Sequence, residues 1–348
     1  MRLLLVCLFF FIGSALFGQR KTSLGTNNSF HNDSVRNECM ENAHRLLDEA
    51  FKLMQRNYYR KDVVNWDTLK LAATTKLNSR GVCNDAYETI NWCFQQMREN
   101  HSFIMPTLKA AEYNNDRLQL TSPTALSKMV GSMRSGMIND SVAYLTIPWV
   151  STTDEEVCNM IADSIQSVIE TLDRNNVKKW IVDIRKNTGG NCWPMIAGAG
   201  PLLGEGICGY FVRNNEKVSI TYKNGMAMQG KYTRCKVSRK PYQLKNPNSE
   251  IVILTANSTA SSGEIIALAF KGKSNVQFVG EATAGFTTAN ATYTLSDNSM
   301  LVLTVCQEAD RDGKIYSGRL IPDIPIASNI SQGKDAILDA AVQSAPKK

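Results

Sequence analysis

Apolar residues recur at two different spacings along the chain. In three stretches near the amino terminus they return every three or four positions, which is the period of a helix with one buried face. These stretches predict helices that begin at Val35, cover residues 64–77 and cover about residues 84–98. The predicted buried face of the first helix consists of Cys39, Ala43, Leu46, Leu47, Ala50 and Met54, and that of the third of Ala86, Ile90, Cys93 and Met97.

Short apolar runs of the length of β-strands take over after residue 140. Four of them predict core strands, at residues 141–150, 180–184, 251–254 and 276–279. A helix with a buried face from Val157 to Leu172 is predicted between the first two, and Thr153 and Glu156 match a capping box at its start. Strand, helix and strand in succession imply a right-handed parallel unit, so the pattern predicts an α/β fold.

The rest of this region is predicted to be mainly β structure. Residues 209–239 have the pattern of irregular β structure, with a hairpin turn at Asn224-Gly225. Residues 293–295 and 300–305 are predicted strands that flank a turn, and residues 334–342 form a final amphipathic helix.

The amino terminus has the features of a secretory signal peptide. A positive end, Met1-Arg2, precedes an apolar run over residues 3–17, which is short for a membrane span. Gly18 before Gln19 is a suitable cleavage point, and an uncleaved anchor is the alternative. Cys7 lies inside the apolar run, which argues against a lipoprotein anchor. We therefore expect an exported protein, located in the periplasm, in the cell envelope or outside the cell.

Composition and charge narrow the functional classes. Of the 348 residues, 43% are hydrophobic and 20% are charged, as in an ordinary globular protein. Cleavage after Gly18 removes Arg2 and lowers the formal net charge of +7 by one; no block of basic residues indicates a nucleic-acid partner. Eight cysteines remain, which permits disulfides in an exported protein without fixing their pairing. No Cys or His cluster indicates a metal site.

The predicted strand at residues 251–254 leads into the stretch with the clearest chemical pattern. Small and polar residues follow it up to Gly263, and then a helix with Ile265, Leu268 and Ala269 on one face. A strand, a tight turn and a helix can lift a serine hydroxyl to the mouth of a site at the helix N-terminus. Ser261 and Glu264 also match an ordinary capping box, in which the serine is only a helix cap.

The letters TASSGEI, followed by GEATAG, resemble the signature of the C-terminal processing, or tail-specific, serine peptidases. That family implies a crotonase/ClpP-like α/β core of βαβ units with an N-terminal helical domain. It also implies that Ser261, three residues before the glutamate, is the nucleophile. The capping-box pattern favours Glu264 as a helix cap over Glu264 as a catalytic acid. The sequence RKNTGGN after the second core strand resembles the family's glycine-rich loop, which assigns Gly189 and Gly190, with Ser262, to the oxyanion hole. The segment LIPDI at residues 320–324 resembles the end of the family's core, although Arg319 replaces a glycine.

The general base is less clear from the motifs. Family members with a Ser/Lys dyad have a lysine where this chain has Phe286, and Lys271 and Lys273 lie about 15 Å along the helix that follows Ser261. The sequence ENHS around His101 partly matches a D-G-H-S/T loop of the branch that resembles the tricorn core and nisin-resistance peptidases. The resemblance therefore implies that His101 is the base; a surface histidine, or a histidine in a satisfied polar contact, is the alternative.

The resemblance predicts acyl transfer to water, with Ser261 as nucleophile, His101 as base and no metal or organic cofactor. No third catalytic group can be assigned among Glu308, Asp310 and Asp312. The substrate would be a peptide or an unfolded protein, and the sequence does not fix the oligomeric state. Two alternatives remain: a catalytically inactive protein that binds peptides or apolar ligands on the same fold, and a structural envelope protein in which Ser261 is a cap.

The predicted domain organisation follows from these assignments. It consists of a signal peptide at residues 1–18, a flexible lead-in at 19–34, a helical domain at 35–105, a connecting segment at 106–140 and a peptidase core at 141–345. The connecting segment is shorter than the roughly 50 residues of an independent domain, so a PDZ domain is not expected there.

Overall fold

The computed structural model describes residues 29–80, 85–119, 133–328 and 335–345. These residues form two compact units. The core unit comprises Glu112–Ala291 and Val305–Lys348, and the helical unit comprises the described residues up to Ala111 together with Thr292–Thr304. The predicted signal peptide and most of the predicted lead-in lie outside the described residues.

The helical unit contains the three predicted helices, α1 (Ser29–Asn57), α2 (Trp66–Arg80) and α3 (Asp85–Gln96). Helix α1 begins at Ser29, within the predicted lead-in and before the predicted start at Val35. The predicted apolar faces are buried except at Cys39 and Met97, which are half-buried. The largest enclosed side chains include Leu47, Phe51, Met54, Leu77, Ile90 and Phe94. Strand β1 (Phe103–Met105) follows, and helix α4 (Thr107–Gln119) comes next in the chain.

The core unit contains a mostly parallel sheet with the strand order β14-β10-β9-β4-β3-β2. Its strands are β2 (Ser135–Asn139), β3 (Val142–Thr146), β4 (Lys179–Asp183), β9 (Glu250–Thr255), β10 (Val276–Gly280) and β14 (Ile324–Pro325). Only β2 pairs antiparallel within this sheet. The four inner strands, β3, β4, β9 and β10, are mainly apolar because both of their faces are covered, and these are the four that were predicted; the edge strands β2 and β14 were not predicted.

Helices cover this sheet. Helix α5 (Glu155–Asp173) connects β3 to β4, and it packs with α6 (Cys192–Leu203), which also contacts α7 (Ser262–Phe270). Ile337 and Ala341 of α8 (Ala336–Gln343) pack against Val142, Ile181 and Val252 of the sheet. The predicted capping box of α5 is wrong: the cap is Asp154, whose carboxylate accepts the N–H of Val157 at 3.0 Å.

A second, antiparallel sheet starts with four strands in succession, β5 (Gly206–Arg213), β6 (Glu216–Lys223), β7 (Met226–Gln229) and β8 (Tyr232–Lys236). This region was predicted to be irregular β structure, and it is a meander whose β5–β6 and β7–β8 pairings each contain a register shift. The predicted turn at Asn224-Gly225 joins β6 to β7 with positive φ at both residues. The end of β12 (Met300–Ala309) pairs with β5, while β11 (Thr288–Thr294) and β13 (Ile315–Tyr316) pair with β12. Within the helical unit, the beginning of β12 pairs antiparallel with β1.

The order of the parallel strands determines where the two motif loops emerge. Strands β4 and β9 are parallel neighbours, and Asp183 near the end of one pairs with Leu254 near the end of the other. The chain after β4 reaches Gly189-Gly190 within seven residues, and the chain after β9 reaches Ser261 within six. Loops that follow neighbouring parallel strands leave the sheet at the same edge, where α/β proteins bind their ligands.

Candidate active site

Ser261 lies in a strained turn between β9 and α7. Its backbone angles are φ 52° and ψ −120°, outside the regions that a residue with a side chain normally adopts. Such a conformation costs about 1–3 kcal/mol and persists only where the surrounding structure enforces it. A sharp strand-to-helix turn that presents a serine is the geometry of a nucleophile elbow.

Glu264 enforces this turn. Ser261 and Glu264 occupy the positions of a capping box, and the N–H of Ser261 donates to the Glu264 carboxylate at 3.0 Å. The same carboxylate accepts the hydroxyl of Thr283 and the N–H groups of Gly285 and Phe286, at 2.9 and 2.7 Å for the two backbone donors. Burial raises the pKa of Glu264, and these hydrogen bonds oppose the increase. Glu264 therefore fastens the serine turn to the GEATAG loop.

The hydroxyl of Ser261 does not act as the helix cap. Ser261 is fully buried, and its Oγ has no hydrogen-bond partner among the described residues. In a full capping box, the N–H of Glu264 donates to the serine hydroxyl. Here this N–H donates to the backbone carbonyl of Ser261 at 2.7 Å, so its hydrogen bond to the hydroxyl is not made. A buried hydroxyl without a partner is an energetic cost, and such groups call for an explanation.

The glycine-rich loop lies directly against this serine. A Cβ atom on Gly189, which has φ +112°, would lie 2.9 Å from the Cβ of Ser261, so no other residue fits there. The hydroxyl of Ser262 donates to the carbonyl of Gly190 at 2.6 Å and ties the two loops together. Gly190 also pairs with Val150: the Val150 carbonyl accepts the N–H of Asn191 at 2.6 Å, and a Cβ on Gly190 would lie 2.0 Å from that carbonyl oxygen.

The N–H groups of this loop differ in their availability. That of Gly189 donates to the side-chain oxygen of Asn187 at 3.0 Å. Those of Gly190 and Ser262 make no hydrogen bond to any of the described residues. Of the three residues that the sequence assigned to the oxyanion hole, the structure thus leaves the N–H groups of two unbonded beside Ser261.

Asn187 shapes this arrangement, although no motif in the sequence assigned it a function. It is buried, and its side-chain amide donates to the backbone carbonyls of Ile147 and Pro148 at 3.2 Å each. Its backbone carbonyl accepts the N–H of Ala260 at 3.1 Å. An asparagine between a strand and two glycines also suits an ordinary turn. Its contacts come from segments 40 and 73 positions away, which no local pattern reveals.

His101 lies in the helical unit, in a loop that a second buried glutamate organises. Glu99 accepts the N–H groups of His101 and Ser102 at 2.8 and 3.1 Å. It also accepts the hydroxyls of Tyr58 and Thr304, both at 3.0 Å. Glu99 stands where the related loops have aspartate, and the sequence analysis assigned it no function.

The imidazole of His101 is 4% exposed, so it is not the surface histidine of the alternative interpretation. Burial lowers its pKa to about 3. The ring is therefore neutral near pH 7, which is the form that can accept a proton.

The two lysines that follow α7 have other contacts. Lys271 lies 4.4 Å from the ring centroid of Phe278, and the ammonium of Lys273 donates to the carbonyl of Leu203 at 3.1 Å. Phe286, at the lysine position of the Ser/Lys enzymes, donates its N–H to Glu264.

The three acidic residues of the 308–312 region differ sharply. Asp310 accepts two backbone N–H groups and the hydroxyl of Tyr316, and so closes a turn. Asp312 lies against Gly272. Glu308 is 1% exposed, and neither of its carboxylate oxygens has a hydrogen-bond partner among the described residues. Burial, together with the charge of Glu264, raises the pKa of Glu308 well above its ordinary value.

The described residues also bear on metals, membranes and cysteines. They contain no group of three His, Cys, Asp or Glu residues that could hold a metal ion. None of their helices combines the length and the apolar composition of a bilayer-spanning segment. Cys39 is disulfide-bonded, and six buried cysteines in the described part of the chain form no disulfide.

Comparison with known proteins identifies the family. Residues 141–326 match peptidase family S41. This chain belongs to peptidase family S41. The S41 chain is 30% identical over 270 residues to the nisin-resistance protein of Lactococcus lactis subsp. lactis. The aligned residues cover 77% of this chain and 82% of that protein. It is also 28% identical over 153 residues to the carboxy-terminal processing protease CtpA of Bacillus subtilis (strain 168), covering 44% of this chain and 29% of CtpA.

A solved structure supports the fold of this S41 peptidase. The photosystem II D1 C-terminal processing protease aligns with a TM-score of 0.55, at 14% identity, over 84% of this chain and 95% of that one. The predicted family and the predicted α/β core with an N-terminal helical domain are confirmed. The protein is a serine-type peptidase of the C-terminal processing protease family, so its substrates are peptides or proteins.

Proposed function

We propose that this protein is an exported endopeptidase that cleaves peptides or protein tails through an acyl-enzyme formed on Ser261. The observation that carries the proposal is the strained Ser261 turn, in which a buried hydroxyl without a hydrogen bond lies beside the unbonded N–H groups of Gly190 and Ser262. Strain and unsatisfied polar groups in one place are costly for folding, and active sites are where proteins retain such costs.

The reaction proceeds in two steps. Ser261 Oγ attacks the peptide carbonyl while His101 takes its proton, and the N–H groups of Gly190 and Ser262 bind the oxygen that becomes negative. His101 returns the proton to the leaving amine, which departs as the C–N bond breaks. Water then attacks the acyl-enzyme while His101 accepts a proton from it. The ester C–O bond breaks, His101 passes that proton to Ser261 Oγ, and the peptide acid is released.

The roles of the two glycines differ in this mechanism. The N–H of Gly189 is occupied by Asn187, so Gly189 serves the oxyanion hole by its close approach to Ser261. Gly190 is the donor, held by its pairing with Val150 and by the hydroxyl of Ser262. Ser262 is the first residue of α7, so the positive N-terminal end of the helix dipole also favours the negative oxygen there.

A labelling experiment tests the proposal. The purified protein is treated with a fluorophosphonate probe, the labelled peptide is mapped, and hydrolysis of a peptide library is measured in parallel. We expect label on Ser261, and loss of both label and hydrolysis in Ser261→Ala. Ser274→Ala, a change at an exposed serine of the core unit, is the matched control and should retain both. Label on Ser262 instead, or hydrolysis that survives Ser261→Ala, would contradict the mechanism.

An inactive protein that binds peptides or apolar ligands is the second candidate function. Phe286 at the lysine position of the dyad enzymes favours it, as does the low basicity that burial gives His101. The same experiment separates the two functions, because an inactive binding protein takes no label at Ser261.

Export is part of the proposal and has its own test. The positive end and apolar run of residues 1–18 support it. We expect the protein purified from the extracytoplasmic fraction of its cells to begin at Gln19. A protein that stays in the cytoplasm with Met1 in place would contradict export without bearing on the peptidase mechanism.

A further inference from the structure

Trp149 is a large aromatic residue that the fold leaves half in solvent. Its side chain is 49% exposed. Among the described residues, its indole makes no ring contact and no hydrogen bond. An aromatic side chain of this kind buries about 150–250 Å² of surface when it is enclosed, and this burial is favourable. Tryptophan is also enriched among the residues that dominate binding interfaces.

The backbone on both sides of Trp149 is fixed by the glycine-rich loop. The carbonyls of Ile147 and Pro148 accept the side-chain amide of Asn187, at 3.2 Å each. On the other side, Val150 donates its N–H to the carbonyl of Gly189 at 3.2 Å. Trp149 is therefore displayed from a rigid backbone and loses little conformational freedom when it binds something.

The place of display lies next to the reacting groups. Val150, the residue after Trp149, pairs with Gly190, whose carbonyl accepts the hydroxyl of Ser262 at 2.6 Å. On the same loop, the position of a Cβ on Gly189 is 2.9 Å from the Cβ of Ser261. An extended peptide whose carbonyl carbon reaches Ser261 Oγ has the side chains that flank that carbonyl within a few ångströms of it.

We propose that Trp149 forms the wall of a substrate subsite that takes an apolar side chain next to the bond that is cleaved. The inference rests on the proposed function, because it places the peptide by the attack of Ser261. An apolar side chain packed on the indole removes surface of both from water, whereas a small polar side chain gains little there. Trp149 thus favours peptides with leucine, phenylalanine, methionine or valine at that position.

The test uses two peptide pools of equal length and equal charge. One pool contains Leu, Phe, Met and Val, and the other has Ser, Thr and Asn in their place. In the wild-type protein we expect faster cleavage of the apolar pool. Trp149→Ala should lower the ratio of the two kcat/KM values about tenfold, the size of effect typical of an aromatic anchor. Trp149→Phe should keep most of the preference.

The matched control is Tyr232→Ala, which removes another exposed aromatic side chain of the core unit, 55% exposed on β8. It should leave the ratio unchanged. An unchanged ratio in Trp149→Ala, with cleavage that still depends on Ser261, would overturn the subsite and leave the peptidase mechanism intact.

A binding measurement decides the case in which the wild-type protein cleaves neither pool. The pools are titrated onto Ser261→Ala and onto the double variant Ser261→Ala/Trp149→Ala. Weaker binding of the apolar pool to the double variant supports the subsite even though the proposed catalysis has failed. Equal binding of both variants overturns the subsite as well.

Discussion

The Ser261 turn in the core unit and the His101 loop in the helical unit share one design. Each is organised by a buried glutamate that accepts four hydrogen bonds, Glu264 in the first and Glu99 in the second. In both, the glutamate fixes the backbone of the residue with the proposed chemical function through that residue's own N–H. A carboxylate with all its partners in place rigidifies a loop that would otherwise be mobile.

The two loops differ in where the hydrogen bonds come from. The donors to Glu264 lie within 22 positions of it along the chain. Glu99 depends on Tyr58, 41 positions before it, and on Thr304, 205 positions after it. The donors to Glu264 thus all come from its own stretch of the chain, whereas two of the four donors to Glu99 come from distant segments.

The largest expected effect comes from replacing Glu264 by glutamine. Both oxygens of Glu264 accept at least one backbone N–H, so either placement of the glutamine NH2 group faces donors and leaves buried groups unsatisfied. We expect Glu264→Gln to cost about 2–3 kcal/mol in the free energy of unfolding and, by displacing Ser261, about 100-fold in kcat/KM.

Glu99→Gln is the matched comparison. One oxygen of Glu99 accepts only the hydroxyl of Tyr58, and a tyrosine hydroxyl can accept a hydrogen bond as well as donate one. We therefore expect a cost below about 1 kcal/mol. Urea unfolding followed by circular dichroism measures both values. Equal losses for the two variants would show that the direction of the hydrogen bonds does not control these loops.

The same difference explains how much the sequence predicted. The buried parallel strands, α7 and the pairing of Ser261 with Glu264 are visible because their patterns are local. The capping box was predicted correctly as a spacing, but the backbone carbonyl of Ser261, and not its hydroxyl, faces the N–H of Glu264. Nor does a local pattern show the close approach of Gly189, 72 positions before Ser261, where a Cβ atom would lie 2.9 Å from the Cβ of Ser261.

The parts that could not be predicted rest on long-range contacts. Asn187 reads as a turn residue, yet it fixes the residues before Trp149 and occupies the N–H of Gly189. From its local sequence, Glu99 is an ordinary polar residue at the end of a helix. Only its hydrogen bonds from Tyr58 and Thr304 show that it organises a loop. The cap of α5 was misplaced by one residue because Thr153 and Asp154 are both good caps, and local sequence does not choose between them.

The pH dependence of cleavage tests the proposed function of His101 in the helical unit. Its pKa is lowered to about 3 because the ring is buried, whereas an exposed histidine titrates near 6.5. If His101 is the base, kcat/KM should stay flat as the pH falls from about 8 to about 5, with no decline near 6.5. His44→Gln, a change in the helical unit outside this loop, should leave the profile unchanged. A tenfold fall centred near pH 6.5 in the wild-type protein would assign the base to another group.

Linkage gives the same prediction a second measurement. A histidine held neutral in the folded protein stabilises it above the unfolded-state pKa, and this contribution is lost as the pH falls below about 6.5. The free energy of unfolding of the wild-type protein should therefore drop more steeply between pH 6.5 and pH 5 than that of His101→Gln. Parallel curves would contradict the burial of a neutral ring.

Glu308 supplies the case in which a buried glutamate organises nothing. Neither of its oxygens has a hydrogen bond among the described residues, and its pKa is raised well above the ordinary value. A raised pKa means that its contribution to stability is fully present below the unfolded-state value of about 4.3 and is lost as the pH rises toward the folded-state pKa. Glu308→Gln removes that loss, so the melting temperature of the variant relative to wild type should rise with pH from 4 to 8.

Glu281→Gln is the control with the opposite sign. Hydrogen bonds from Ser328 lower the pKa of Glu281, so its carboxylate stabilises the fold above about pH 4.3 and this contribution disappears as the pH falls. The melting temperature of this variant relative to wild type should therefore fall as the pH rises. We expect the difference because a buried carboxylate without a partner loses its hydration when it is charged and gains no hydrogen bond in return. If the melting temperatures of both variants follow the wild-type curve, burial without hydrogen bonds does not distinguish Glu308 from the glutamates that organise the two loops.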